Sequence, residues 1–299
     1  LRDPDNPDDP AACVEASLAL SYAALPEEAQ RVLMQLGVFV GSFDQDAAIA
    51  VIADTPSPIP DTLGLLRRRS LLLYDPATAR YRLHDLVQAF AAARLREWGM
   101  GNGEWRMAYL RHARHYQRAV SNAQFDLYLK GKPIEALTLF DRERVNFDAG
   151  WRWAQQQPVS EETDALLMDY ANAVYAFGDV RYDLRRERIP RLEAQRDAAR
   201  RRGRKSMEGS ALGNLGIAYQ DLGEARRAIA YHEQDLAIAR EIGDRRGEGT
   251  ALGNLGIAYA ALGEARRAIA YYEQDLAIAR EIGDRRGEGN ALGNLGLAY

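Results

Sequence analysis

The sequence holds a single cysteine, Cys13, in 299 residues, which excludes an internal disulfide and any cysteine-cluster metal site. Histidine is scarce as well, with 4 in the chain, leaving little material for an imidazole-based catalytic or metal constellation. No apolar run approaches the ~18 residues that a membrane-crossing helix needs, and no segment reads as a secretory leader, so the cytoplasm is the expected compartment. Excess positive charge is lacking too. A formal net charge of −4 gives no protein-wide field toward nucleic acid or anionic lipid. Also missing is a GxxxxGK[ST] phosphate loop: the Gly131-Lys132 pair runs straight into Pro133. The chain by itself is therefore expected neither to hydrolyse ATP nor to bind it tightly, and to carry no resident cofactor and no enzymatic activity.

Composition is that of an ordinary globular protein, 47% hydrophobic and 27% charged, over a length that suits two or three domains, or one domain and a repeat array. The chain opens on Leu1 and stops inside a repeat at Tyr299, and it is read as a piece of a longer protein. Residues 211–250 recur over 251–290 with four substitutions, Gln220 to Ala260, Asp221 to Ala261, His232 to Tyr272 and Thr250 to Asn290. A third copy begins at Ala291 and runs for nine residues. A worn copy precedes them, in which Glu193, Ala199, Arg200, Gly203, Glu208 and Gly209 stand 40 residues before identical counterparts. Such near-identity implies recent duplication.

Each unit reads as two helices. Leu252, Leu255, Ala258, Tyr259 and Leu262 fall at helical spacing and Gly263 ends that helix as a left-handed cap. Glu264 opens the next helix at the favourable end of the dipole. Ala268, Ile269, Tyr272, Leu276 and Ala279 form its apolar stripe, Gly283 stops it, and Asp284 is placed to cap the helix after it. One such pair cannot bury both faces, so neighbours must stack into a solenoid.

Leu255-Gly256, Tyr259, Gly263, Ala268 and Tyr272, at these spacings, resemble the tetratricopeptide (TPR) signature. In that pattern small Gly256 and Ala268 let the helices cross closely, and Tyr259 and Tyr272 fill the space between units. The period of 40 exceeds the family's 34, lengthening the helices around Arg280–Gly289 as in kinesin-light-chain-like variants. Asp275 stands where the family usually has alanine, which implies looser packing there. The resemblance implies a right-handed superhelix of helix pairs whose first helices line a concave groove. That face would carry Asn214, Asn254 and Asn294, with Ile217, Ile257 and Leu297 one turn on and Gln220 or Ala260 beyond. An asparagine offers a donor and an acceptor, so a column of them suits an extended peptide backbone. Alternatively, each asparagine is a by-product of duplication that hydrates its own groove. Three of the four variable positions, 220, 221, 232 and 250, would face or rim the groove.

Upstream, residues 14–40 read as two amphipathic helices broken at Leu25-Pro26, with proline at an early helical position. A third helix is expected from Phe43-Asp44 to Ala53, and a fourth from about Asp61 to Arg69. Ser70–Tyr74 and Arg80–Leu83 alternate as a hairpin around Asp75-Pro76, and a helix resumes at His84. Three helices, a β-hairpin wing and a closing helix describe a winged helix. The strings SYAALPEEAQRVLMQLGVF and LLRRRSLLLYDPATARYRLHDLVQAFA resemble the winged-helix segment of STAND-class signalling NTPases of the NB-ARC type. Leu83-His84-Asp85 matches that family's Met-His-Asp motif, with leucine for methionine. The resemblance implies that His84 reaches the β-phosphate of ADP held by an upstream nucleotide-binding domain, and that Asp85 holds the turn or caps the next helix. It further implies ADP or ATP with Mg for the longer protein, and oligomerisation on activation. Alternatively, His84 is only a junction residue between wing and helix.

Residues 98–205 look helical throughout, over Trp105–Ala123, Pro133–Gln157 and Glu161–Phe177, with Trp151 and Trp153 as core anchors. LFDRERVNFDAGWRWA resembles the helical arm that joins winged helix to sensor repeats in bacterial members of the class. The expected fold is mainly α: a linker over 1–10, a winged-helix domain over 11–97, an arm over 98–205 with a degenerate repeat at about 171–210, and a TPR array over 206–299. The expected function is that of a regulatory and sensor segment whose groove binds a protein or peptide.

Competing chemistries have thinner footing. His112 and His115 share a helix face at i, i+3, but no cysteine or carboxylate cluster completes a metal tetrahedron. Arginines 200, 201, 202 and 204 and Lys205 are interleaved with acids and read as a solvated face. A winged helix can also read DNA, and Arg67, Arg68 and Arg69 end the helix that would enter a major groove. That alternative is a transcriptional regulator with a TPR ligand sensor. Cations at a helix C-terminus are equally favoured by the dipole. The acids of residues 1–61 (Asp3, Asp5, Asp8, Asp9, Glu27, Glu28, Asp44, Asp46 and Asp54) also argue against a phosphate-facing surface.

Overall fold

The structure is a computed structural model that describes residues 10–53, 55–99 and 103–299. The expected linker, apart from Pro10, and the acids Asp3, Asp5, Asp8, Asp9 and Asp54 lie outside the described residues. The chain is mainly helical and divides into two compact units, residues 1–157 and 158–299. This division falls inside the stretch read as one helical arm.

The first unit runs through α1 (Pro10–Ala23), α2 (Glu27–Leu36), α3 (Gln45–Val51) and α4 (Ile59–Arg68) to a hairpin. Proline precedes α2 and sits in the first turn of α4, where a missing N–H costs nothing. Asp44 caps α3, its carboxylate accepting from the Ala47 N–H at 2.8 Å. Strands β1 (Leu73–Asp75) and β2 (Arg80–Arg82) pair antiparallel with Tyr74 opposite Tyr81. Both strands are shorter than the sequence pattern implies. Phe43 adds a single-residue third rung, its N–H donating to the Tyr81 carbonyl at 2.9 Å and its carbonyl accepting from the Tyr81 N–H at 2.7 Å. Three helices come next, α5 (Asp85–Gly99), α6 (Glu104–Asn122), which continues into a π-helical turn over Ala123–Tyr128, and α7 (Pro133–Gln155). Trp151 and Trp153 are buried, as their spacing requires.

Buried polar groups tie α7 to the hairpin and to residues 40–42. The Arg80 guanidinium donates two hydrogen bonds to Glu143, at 2.7 and 2.8 Å, and both side chains are buried. Asn146 accepts from the N–H groups of Val40 and Gly41 at 3.0 and 3.2 Å, and donates to the Ser42 carbonyl at 2.9 Å.

The second unit opens with α8 (Glu161–Ala173), capped by Ser160, and a short α9 (Gly178–Arg181). After a π-helical turn over Leu184–Arg188 come α10 (Ile189–Arg201), α11 (Lys205–Asp221), α12 (Ala225–Ile242), α13 (Arg245–Ala261), α14 (Ala265–Glu281) and α15 (Arg285–Ala298). From α10 onward each helix packs on the next, forming an α-solenoid. The turns between these helices carry glycine at positive φ, including 75° at Gly263 and 69° at Gly283, where a Cβ would be strained. Asp244 and Asp284 cap α13 and α15, accepting from the Gly247 and Gly287 N–H groups at 2.9 and 3.0 Å.

Three equivalent ion pairs mark the period: Arg200 with Glu208 at 2.7 Å, Arg240 with Glu248 at 2.8 Å and Arg280 with Glu288 at 2.8 Å. The first belongs to the worn copy. Arg201 and Arg202 likewise pair with buried Asp164, at 2.5 and 2.8 Å, so much of that arginine run is occupied within the protein.

The tyrosines make contacts that the sequence pattern does not specify. Tyr259 stacks on Tyr271 with ring centroids 5.4 Å apart, and Tyr219 on Tyr231 at 5.3 Å. Tyr272 instead lies against Gly256, where an added Cβ would come within 2.3 Å of the ring. The glycine is a seat for an aromatic ring rather than only a helix-crossing point.

Candidate functional site

The repeat array brings the asparagine column beside two cavities, one repeat apart. The first, of about 340 Å³, is lined by Asn214, Ile217, Asp235, Arg246, Thr250 and Asn254, among others. The second, of about 180 Å³, is lined by Asn254, Ile257, Asp275, Asn290 and Asn294, with Arg246 at its edge. Each lies where a first helix meets its own second helix and the first helix of the next unit. Ile217 and Ile257 are exposed there. The side chains of Asn214, Asn254 and Asn294 make no hydrogen bond within the described residues, so each keeps a donor pair and an acceptor available.

Two expected groove residues line neither cavity. Gln220 is spent inside the protein: its amide donates to the Asn254 carbonyl at 3.1 Å, and its oxygen lies 3.3 Å from His232 Nε2. Positions 220 and 232, which change together between repeats, therefore touch each other. Leu297 is exposed on α15 and lines neither cavity. Thr250 lines both cavities, and its counterpart Asn290 lines the second.

Sequence reading missed the polar floor of these cavities. Asp275 lies on the floor of the second cavity and is accommodated by glycines on the facing helix. Its carboxylate oxygens lie so close to Gly249 and Gly253 that an added Cβ would approach them to 3.1 and 2.9 Å. Asp235 sits in the same way against Gly209 and Gly213. Burial, reinforced by Asp244, pushes the Asp235 carboxyl up to about 7, and burial with Asp284 nearby pushes Asp275 up to about 6. The signal in the sequence is the recurrence of Gly-x-x-x-Gly opposite an aspartate in both full copies.

At the second predicted site, His84 and Asp85 are exposed at the junction of β2 and α5. The His84 Nδ1 lies 3.4 Å from the Leu86 backbone nitrogen, and Asp85 pairs with Arg82 at 3.2 Å. Both contacts organise the start of α5. The Nε2 of His84 has no partner among the described residues. Lys132, of the Gly-Lys pair, precedes α7 and lies 3.4 Å from Glu135.

Of the other two histidines of the first unit, one is buried and one half-buried. His112 is buried with Nε2 3.4 Å from Asn146 Oδ1, and burial lowers its pKa to about 3. Burial also lowers that of His115. No group of three or more metal-binding side chains occurs among the described residues. No described helix is long and apolar enough to cross a membrane. Arg67 lies over the Tyr74 ring at 4.3 Å, while Arg68 and Arg69 are exposed.

Among solved structures, one similar chain is a Signal Transduction ATPase with Numerous Domains (STAND) protein with a tetratricopeptide repeat sensor, from Pyrococcus horikoshii. It is 16% identical with a TM-score of 0.45, over 95% of this chain and 55% of that one. Another is a "putative kinesin light chain" with nearly identical TPR-like repeats from Podosopora anserina, 22% identical with a TM-score of 0.41, over 64% of this chain and 84% of that one. Curated relatives from Mycobacterium bovis and Mycobacterium tuberculosis bear the name "Putative HTH-type transcriptional regulator". They are 29% identical over 162 residues, which is 52% of this chain. The chain spans about a sixth of their length, 17%. Within the chain, residues 207–281 match the tetratricopeptide repeat family model.

Proposed function

We propose that the repeat array is a docking groove for an extended segment of a partner protein, and that the chain is the regulatory and sensor portion of a longer cytoplasmic signalling protein. The observation that carries this reading is the column of Asn214, Asn254 and Asn294, with amides free of internal bonds, beside two open cavities. Peptide recognition of this kind uses backbone hydrogen bonds for affinity and side-chain pockets for specificity. In this reading residues 11–97 are a winged helix, 98–205 an arm and 206–299 the sensor.

The match of Leu83-His84-Asp85 to the Met-His-Asp motif supports a STAND-type parent, in which His84 would contact ADP held by another domain. Exposed His84 with a free Nε2 is compatible with that role. The described residues do not otherwise fit a nucleotide, since Lys132 lies beside Glu135 and the sequence has no phosphate loop. Calorimetric titration with ADP is expected to give no saturable binding at micromolar concentration. Stoichiometric, submicromolar binding would overturn that assignment.

A second reading, DNA binding by the same segment, is favoured by exposed Arg68 and Arg69 and by the transcriptional-regulator name of the mycobacterial relatives. A salt series separates the two: phosphate contacts give a steep fall of log affinity with log salt. The groove reading is tested by panning a random peptide library displayed on phage against the whole chain. Enrichment by the native protein and its loss in Asn214→Ala/Asn254→Ala/Asn294→Ala is the expected result. No enrichment by the native chain would sink the groove.

A further inference from the structure

The buried acids among the described residues are neutralised. Glu143, Asp164, Glu208 and Glu248 are each buried, and each pairs with at least one arginine at 2.5–2.8 Å. Asp235 and Asp275 differ: half-buried on the floors of the two cavities, they make neither an ion pair nor a hydrogen bond among the described residues.

Folding does not explain the arrangement. Glycine inside a helix is disfavoured relative to alanine, and a desolvated carboxylate without a partner is costly. Yet α11 and α13 each keep two glycines where a Cβ would approach the aspartate oxygens to between 2.8 and 3.1 Å. Backbone room is reserved for a carboxylate in both copies.

The charges around each cavity leave it acidic. Asp235 shares its cavity with Asp244, Arg246 and Tyr175, and Asp275 shares its own with Asp284 and Arg246. Arg246 lies 3.7 Å from Asp284, so neither floor carboxylate is neutralised by it. One floor carboxylate per cavity is too few oxygen ligands for a divalent cation, which takes about six or more. An anionic side chain would meet like charge.

We infer that each cavity receives a basic side chain, lysine or arginine, of the docked segment, with Asp235 and Asp275 as the ion-pairing groups and the asparagine column holding the backbone between them. This rests on the groove reading above. The partner is thus a protein segment with two spaced basic residues. A cation entering the cavity draws the proton from a carboxyl that burial keeps partly protonated near neutrality, so binding releases protons and tightens as pH rises.

The test uses the same random peptide library against the whole chain and against Asp235→Asn/Asp275→Asn, a near-isosteric double variant. The native protein should enrich peptides rich in lysine and arginine. The double variant should still enrich peptides, through its intact asparagines, but without that preference. A native-selected basic peptide should bind the variant at least tenfold more weakly, which is about 1.4 kcal/mol. Its affinity for the native chain should rise between pH ~5.5 and ~7.5 and be nearly flat for the variant, a window about the carboxyls' shifted range. Acid-rich or charge-neutral enrichment by the native chain, or unchanged affinity in the variant, would overturn the inference and leave the groove standing. Failure of the native chain to enrich any peptide would overturn both.

Discussion

The two compact units are held by different kinds of information. The unit up to Gln157 depends on contacts between residues far apart in sequence: Arg80 with Glu143, and Asn146 with the backbone of residues 40–42. The unit from Pro158 depends on contacts that recur every 40 residues, as in the pairs Arg200–Glu208, Arg240–Glu248 and Arg280–Glu288. A repeat stabilises itself through its neighbours, so its packing rules are written several times over. A buried polar cluster is written once, and each of its members is needed.

The largest effect that would break this comparison is therefore expected in the first unit. Glu143→Ala leaves the buried Arg80 guanidinium with only the half-exposed Asp44 carboxylate at 3.8 Å, and loss of the close partner of a buried pair costs up to about 3–5 kcal/mol. All four tryptophans lie between residues 98 and 153, so tryptophan fluorescence during urea unfolding reports on this unit. An unchanged midpoint would mean that the pair contributes no stability.

The same contrast explains which features are legible in the sequence. Helix pairs, glycine caps and the aspartate caps at 244 and 284 follow from local chemistry and repetition, and the structure contains them. The order of helices and hairpin around residues 27–99 is legible from proline positions and from the alternation at 80–83. The Phe43 rung is not, because nothing local distinguishes a residue that pairs with Tyr81 from any other phenylalanine. Glu143 and Asn146 lie within a stretch that reads mainly through its tryptophans, and their partners stand 63 to 106 residues away. In the candidate groove the asparagine column is legible from spacing. The aspartate floors are not, because the depth of a carboxylate depends on the glycines of the facing helix.

Comparing the two full repeats sharpens the contrast. His232 is buried with Nδ1 unpartnered, and burial lowers its pKa to about 4, below the ordinary 6.5. Its neutral form adds stability that is present above pH 6.5 and lost as pH falls toward 4, by up to about 3 kcal/mol at ~1.36 kcal/mol per pH unit. Gln220→Ala/His232→Tyr copies the next repeat and should flatten that acid slope in hydrogen exchange of α11–α13. Asp235 acts with opposite sign. Its carboxyl titrates near 7 in the fold and near 3.8 unfolded, so stability falls as pH rises across that window. Asp235→Asn should stabilise the array at pH ~8 by about 1–2 kcal/mol, allowing for solvent screening. A native acid slope that survives the double exchange would place it elsewhere.

Glycines at equivalent positions give a smaller, internally controlled test. A Cβ at Gly256 would meet the Tyr272 ring at 2.3 Å, whereas at Gly296 it meets nothing within 4 Å. Gly256→Ala should cost about 1–3 kcal/mol through overpacking. Gly296→Ala should gain up to about 1 kcal/mol from helix propensity. Thermal unfolding monitored by circular dichroism distinguishes them by sign, and a loss of similar size in both would show that the ring seat is not what makes Gly256 necessary.

The smallest expected effect on stability belongs to the residues that matter most for the proposed function. Asn214, Asn254 and Asn294 are partly exposed and make no internal side-chain bond, so each change to alanine should alter stability by less than ~0.5 kcal/mol. Alanine also favours a helix over asparagine, which offsets lost hydration. Circular dichroism and the melting temperature of the triple variant should match the native protein while peptide enrichment disappears. Residues that hold a fold and residues that hold a ligand separate on this measurement. A triple variant that melts well below the native chain would show the column to be structural, with its polar groups serving the packing of α11, α13 and α15 rather than a docked segment.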